Sequence, residues 1–167
     1  MKKWILLVVL CLGTSTLFAQ EITKSTYFLI RHAEKDRTDA ENKNPSLTEK
    51  GKERALLWSQ LLADYGIEAV YATDYKRTQE TAAPSAAKLG LEVQSYHPFK
   101  LDFEQFLKDT QGKNVLVVGH SNTIPFFVNK LIKKDKYQQM QDDDNASLYI
   151  VTIEGTTTSD VVIKTKN

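Results

Sequence analysis

Arg31 and His32 stand side by side directly after four aromatic and aliphatic residues, Tyr27, Phe28, Leu29 and Ile30. An unbroken apolar run of this kind is the pattern of a strand covered on both faces in a parallel sheet, and open α/β sheets place their ligands at the carboxyl ends of such strands. A second polar interruption, Gly119-His120-Ser121-Asn122, follows the apolar run "NVLVV". Arg77 falls just past another strand-like segment, "IEAVYAT", where a helical pattern begins. Arg31, His32, Arg77 and His120 would then meet at one edge of one sheet. Two guanidiniums and an imidazole beside helix N-termini form a cationic pocket suited to a phosphoryl group, because arginine forks and helix-end amides both aim donors at anionic oxygens. The second histidine supplies a further donor or a base.

The elements that must position these residues alternate along the chain. After the first strand, residues 46–66 ("SLTEKGKERALLWSQLLADYG") read as a helix with Leu57, Leu61 and Tyr65 on one stripe, Trp58 and Leu62 beside it, and Gly66 as a stop. "IEAVYAT" is a strand; residues 74–90 are a helix that Pro84 should kink or restart, ending at Gly90. "LEVQSY" is a third strand, "DFEQFLKDTQG" a short helix, "NVLVVGH" a fourth strand, and "TIPFFVNKLIKK" a helix with Pro125 near its start. "ASLYIVTI" and "DVVIKTK" around Gly155 read as a closing hairpin. Strands alternating with helices predict an α/β fold, a three-layer α/β/α sandwich around a mostly parallel sheet of about six strands.

At 41% hydrophobic and 26% charged residues, 167 residues make one ordinary globular domain. The balance of 22 basic against 21 acidic residues argues against a nucleic-acid partner bound by phosphate neutralisation. Residues 1–20 read separately, as a secretory signal: Lys2 and Lys3, an apolar run from Trp4 to Leu12, then small residues and a cut after Ala19. The run is short for a membrane span, so no stable span is expected once the signal is removed. Cys11 is the only cysteine and would leave with the signal; a lipid-bearing role for it is weakened by Leu10, where a small residue is expected. The expectation is an exported protein, periplasmic or secreted, whose domain is residues 21–167.

The segments "LIRHAEK", "LTEKG", "YATDYKRTQETA" and "VLVVGHSNT", in this order and spacing, resemble the histidine phosphatase superfamily, the phosphoglycerate mutase-like fold. Ala33 stands where the family's usual Arg-His-Gly opening has glycine, as in its short phosphohistidine phosphatase-like branch. The resemblance implies a phosphomonoesterase acting through phosphohistidine, with His32 as nucleophile and with Arg31, Arg77 and His120 holding the phosphoryl oxygens. Asn122, with the Ser121 region, would line the phosphate or substrate side, and Thr38 falls where larger members carry a phosphate-contacting asparagine. The general acid of many members lies shortly after the third strand. Asp102 is the first candidate there, although Asp102 with Gln105 also fits a helix cap; Glu104 and His97 are the others. The implied substrate is a small phosphorylated molecule, with no cofactor and no metal.

Other classes leave different signatures. A phosphomutase would need long insertions to build a sugar-phosphate cap, and a zinc hydrolase using His32, His97 and His120 lacks a metal-ligand spacing. A non-catalytic phosphate-binding module would keep the arginines but tolerate loss of His32. Glu34 and Lys35 read as supporting or ion-paired neighbours of the nucleophile. The run Asp142-Asp143-Asp144-Asn145 lacks the spaced ligands of a calcium loop and reads as a solvated turn.

Overall fold

The computed structural model describes residues 23–165, so the signal expected at residues 1–20 lies outside the described residues. Six strands form one sheet: β1 (Lys24–Arg31), β2 (Ile67–Thr73), β3 (Val93–Tyr96), β4 (Asn114–Gly119), β5 (Ser147–Glu154) and β6 (Thr157–Lys164). Their spatial order is β3-β2-β4-β1-β5-β6; the first four in that row run parallel, and β5 and β6 close the edge as an antiparallel hairpin turning at Gly155. Helices α1 (Glu49–Leu61), α2 (Lys76–Leu89), α3 (Phe103–Asp109) and α4 (Thr123–Ile132) cover the two faces. The expected sandwich and its largely parallel sheet are what the chain builds.

The apolar runs lack alternation because both faces are buried. Phe28, Ile30, Leu116 and Val118 pack with Trp58, Leu62, Ala82 and Ala86 on the α1–α2 side. Tyr27, Leu29, Val115 and Val117 pack with Phe106, Ile124, Phe127, Val128 and Leu131 on the α3–α4 side. The chain therefore leaves β1 toward one face and the adjacent β4 toward the other, which opens a crevice at their carboxyl ends. His32 and His120 follow those two ends directly.

Two expectations are corrected by packing. The inward face of α1 is Gly51, Arg54, Ala55, Trp58 and Ser59, with Leu62 just beyond, while Leu61 and Tyr65 are exposed. The rotation is set by partners distant in sequence. Arg54 grips Glu34 through Nε and Nη2 at 2.8–2.9 Å, and the Glu34 carbonyl accepts from the Thr48 amide at 2.9 Å. Helix α2, in turn, does not restart at Pro84 but runs through it as one element, with Thr78, Thr81, Ala82, Ser85 and Ala86 on its buried side.

The "LTEKG" segment acquires a reason in this packing. Thr48 caps α1 by accepting from the Gly51 amide at 3.1 Å, and Gly51 lies so close to Glu34 that an added Cβ would sit 2.2 Å from its carbonyl oxygen. Backbone cannot yield as a side-chain tip can. Gly51→Ala should therefore cost about 1–3 kcal/mol of stability, read as a lowered urea midpoint with unchanged slope. An unchanged midpoint would show that the close approach is not needed.

Candidate active site

His32 is held at three backbone points. Its amide donates to the Gly119 carbonyl at 2.9 Å, its carbonyl accepts from Asn145 Nδ2 at 2.8 Å, and its ring Nδ1 lies 2.7 Å from the Ala33 carbonyl. A carbonyl can only accept, so Nδ1 carries the hydrogen and Nε2 keeps its lone pair. The Ala33 amide donates to Thr81 Oγ1 at 3.0 Å, and that hydroxyl donates to the Arg77 carbonyl at 2.6 Å. Thr81 thus couples the end of β1 to the first turn of α2, where Arg77 sits. The four-residue spacing from Arg77 to Thr81 is one helical turn, which is what this coupling requires.

His120 is oriented by a hydroxyl relay. Thr78 Oγ1 donates to the Thr73 and Tyr75 carbonyls, Thr73 Oγ1 donates to Thr78 Oγ1 at 3.0 Å, and Thr73 Oγ1 lies 2.8 Å from His120 Nε2. With the Thr73 hydrogen committed to Thr78, His120 Nε2 must be the donor. Its Nδ1 is then left as the acceptor, 3.5 Å from Arg77 Nη2. Gly119 lets this region close up, since a Cβ there would meet Thr123 Oγ1 at 2.8 Å, Ile124 Cδ1 at 2.9 Å and the Tyr96 hydroxyl at 3.0 Å. The two imidazole centroids are 5.4 Å apart.

The guanidiniums differ in how they are held. Arg31, 3% exposed, donates through Nη1 to the Gln141 and Asp142 carbonyls at 2.9 Å, and through Nη2 to Asp142 Oδ1 at 3.0 Å. Arg77 stacks over the Tyr75 ring at 4.3 Å, and its buried Nε and Nη1 have no hydrogen-bond partner among the described residues. Buried donors left open in a cleft mark the place of an acceptor. Burial pushes the His32 imidazole down to about 3 from its ordinary 6.5, and the neighbouring Arg31, His120 and Arg77 push the same way against the Ala33 hydrogen bond. Burial, then Arg77, Arg31 and Lys35, lower His120 to about 4. Both rings are neutral at physiological pH, one with a free nucleophilic nitrogen.

These groups line a cleft of about 770 Å³ that also takes in His97, Ser121 and Asn122. Arg31, His32, Arg77, His120 and Asn122 are brought together there; Asp102, Glu104 and Thr38 are not. Asp102 caps α3, its Oδ1 accepting from the Gln105 amide at 3.0 Å, and does not line the cleft; neither does Glu104 in the following turn. Thr38 is exposed on a loop that Asp36 turns outward by accepting from the Thr38 amide at 2.8 Å. Of the three acid candidates read from the sequence, His97 lines the cleft, which Asp74 and Asp142 line as well. Sequence reasoning missed the loop 141–145, read as a solvated turn, because its grip on Arg31 is largely through main-chain carbonyls that any residue supplies. It also gave Thr73 and Tyr75 no role, although their place in "YATDYKRTQETA" was a usable signal.

Residues 27–100 match the histidine phosphatase superfamily (branch 1). The fold is similar to that of the protein histidine phosphatase SixA solved with tungstate, with a TM-score of 0.65 at 15% identity over 83% of this chain and 96% of that one. Residues 27–100 thus carry a histidine phosphatase superfamily match, and the solved structures show the same fold. Phosphoglycerate mutase from Bacillus anthracis str. Sterne shares the superfamily fold with a TM-score of 0.64, 15% identity and coverage of 85% and 93%. Mycobacterial glucosyl-3-phosphoglycerate phosphatase gives 0.60, 14%, 77% and 90%. No curated protein matches the sequence. Among the described residues, no group of three or more histidine, cysteine, aspartate or glutamate side chains is placed to hold a metal ion, and no helix is long and apolar enough to cross a membrane.

The lowered imidazoles give a pH dependence of stability. Below pH 6.5 the unfolded chain takes up protons on these histidines that the folded chain refuses until about pH 4 and 3, so stability attributable to them falls as pH drops through that window. Ring-proton NMR should show His32 and His120 neutral at pH 5. Titration of either near 6.5 would contradict the burial and the charge setting described.

Proposed function

We propose that the protein is a phosphomonoesterase that forms a phosphohistidine on Nε2 of His32 from a small phosphorylated substrate. The observation that carries this is the hydrogen bond from His32 Nδ1 to the Ala33 carbonyl at 2.7 Å, which leaves Nε2 unprotonated beside two arginines. The Nε2 lone pair attacks phosphorus, the phosphorus–ester oxygen bond breaks, and the departing oxygen takes a proton. Water then attacks phosphorus, the phosphorus–nitrogen bond breaks with its electron pair returning to Nε2, and orthophosphate leaves. The open donors of Arg31 and Arg77 stabilise the equatorial oxygens as charge spreads in each transfer, with His120 Nδ1 steadying Arg77 Nη2, so no metal takes part.

For the acid, the reading moves from Asp102 to His97. His97 lines the cleft; its Nδ1 accepts from the Phe99 amide at 3.3 Å in the neutral ring, and to act as the acid Nδ1 must give up that bond and take a proton from solvent, the imidazolium then passing the Nε2 proton to the departing oxygen. Residues 1–20 support export, and with it a substrate met outside the cytoplasm. The short connections between strands favour hydrolysis over mutase action, since no long inserted segment caps the cleft among the described residues.

The test is turnover of p-nitrophenyl phosphate in the presence of a strong chelator. Activity should persist, be inhibited by orthovanadate, fall by roughly three orders of magnitude or more in His32→Ala, and fall by about 10²–10³ in Arg77→Ala. His97→Gln should cost little on this activated ester and about 10²–10⁴ on an alkyl ester. Inactivity of the wild-type protein would leave a phosphate-binding module instead. Loss with chelator reversed by zinc would establish a metal enzyme.

A further inference from the structure

We infer that the leaving group carried by the substrate is a flat ring, which rests on the phosphomonoesterase reading and specifies its substrate class. The cleft is asymmetric about His32. On the β1–β5 side, the loop 141–145 is pinned by Arg31 to its carbonyls and by Asn145 to the His32 carbonyl, so that side is closed. The leaving group must extend over the β2–β3 side, where the connections after those strands supply Tyr75, His97 and Phe99.

Aromatic surface is exposed on that side without a folding reason. Phe99 is 67% exposed, with the Phe126 ring at 5.9 Å and the His97 ring at 6.3 Å as aromatic neighbours, and most of it faces outward at the cleft. Phe126 is itself backed by Lys130 Nζ at 5.0 Å, which favours a fixed ring over a mobile one. Tyr75 is 43% exposed, fixed by Arg77 over its face and by the His120 ring edge-on at 5.1 Å. It therefore stands within one ester linkage of the phosphoryl site. Rings so exposed gain most from a third ring in offset or edge-to-face contact, which a saturated group of equal volume cannot reproduce. Ser95, Ser121 and Asn122 add hydrogen-bonding groups to the cleft lining.

Binding of stable phosphonates separates this inference from catalysis. Calorimetric titration of the intact protein with benzylphosphonate, cyclohexylmethylphosphonate and ethylphosphonate, at a pH where all are dianions, should show benzylphosphonate binding about three- to tenfold more tightly than either. The preference should shrink to within about twofold in Phe99→Ala, whose truncation removes an exposed ring and should leave the melting transition in place. Equal affinity of the benzyl and cyclohexylmethyl ligands, or a benzyl preference that survives Phe99→Ala, would overturn the inference. Turnover of p-nitrophenyl phosphate reports separately on the phosphomonoesterase reading, so either can fail alone.

Discussion

The structure depends on holding two guanidiniums and two imidazoles together in one pocket. Arg31 is buried, His32 is 4% exposed, and Arg77 and His120 face the same space. Charges of one sign in such a setting repel strongly unless they are neutralised or satisfied. Three answers are built in. The imidazoles stay neutral, the main-chain carbonyls of the loop 141–145 and the Asp142 carboxylate satisfy Arg31, and Arg77 is spread over the Tyr75 ring. What remains is three open donors, Arg31 Nε and Arg77 Nε and Nη1, and a phosphate dianion is the complement they lack.

Much of the fold exists to keep that pocket in register. The pairing of Arg31 with Gly119 aligns the ends of β1 and β4, and the His32 amide extends the ladder by one bond. Thr81 and Thr73 then transmit the position of α2 to both histidines, one through the Ala33 amide and one through His120 Nε2. Each of these threonines acts on a backbone group or a ring nitrogen already fixed by the sheet. The geometry is therefore assembled before substrate arrives, which is the condition for electrostatic stabilisation of a transfer without large reorganisation.

The legible part of the chain was the part governed by local pattern. Tyr27 to Ile30 and Val115 to Val118 are apolar without alternation, and a doubly covered strand is what they form. Arg31, His32, Arg77 and His120 could be placed at one sheet edge because each follows a strand end. The face of α1 was misread because counting leucines favours Leu57 and Leu61, whereas the Glu34–Arg54 pair and the Gly51 contact, both formed across sequence, turn Trp58 inward. Asp102 was ambiguous by nature, since one carboxylate before a helical run serves capping and acid chemistry equally well on paper. The loop 141–145 was silent because main-chain acceptors have no residue signature.

The central claim is that the Ala33 carbonyl, by holding the hydrogen on Nδ1, makes Nε2 of His32 the atom that receives phosphorus. Rapid alkaline quenching during turnover of an aryl phosphate, followed by peptide mass analysis and phosphorus NMR of the isolated peptide, tests it directly. One added phosphate is expected on the peptide containing His32, bonded at Nε2, stable in base and lost on brief acidification. Phosphate found on Nδ1, on His120, or as an acid-stable ester on a serine or threonine would contradict it.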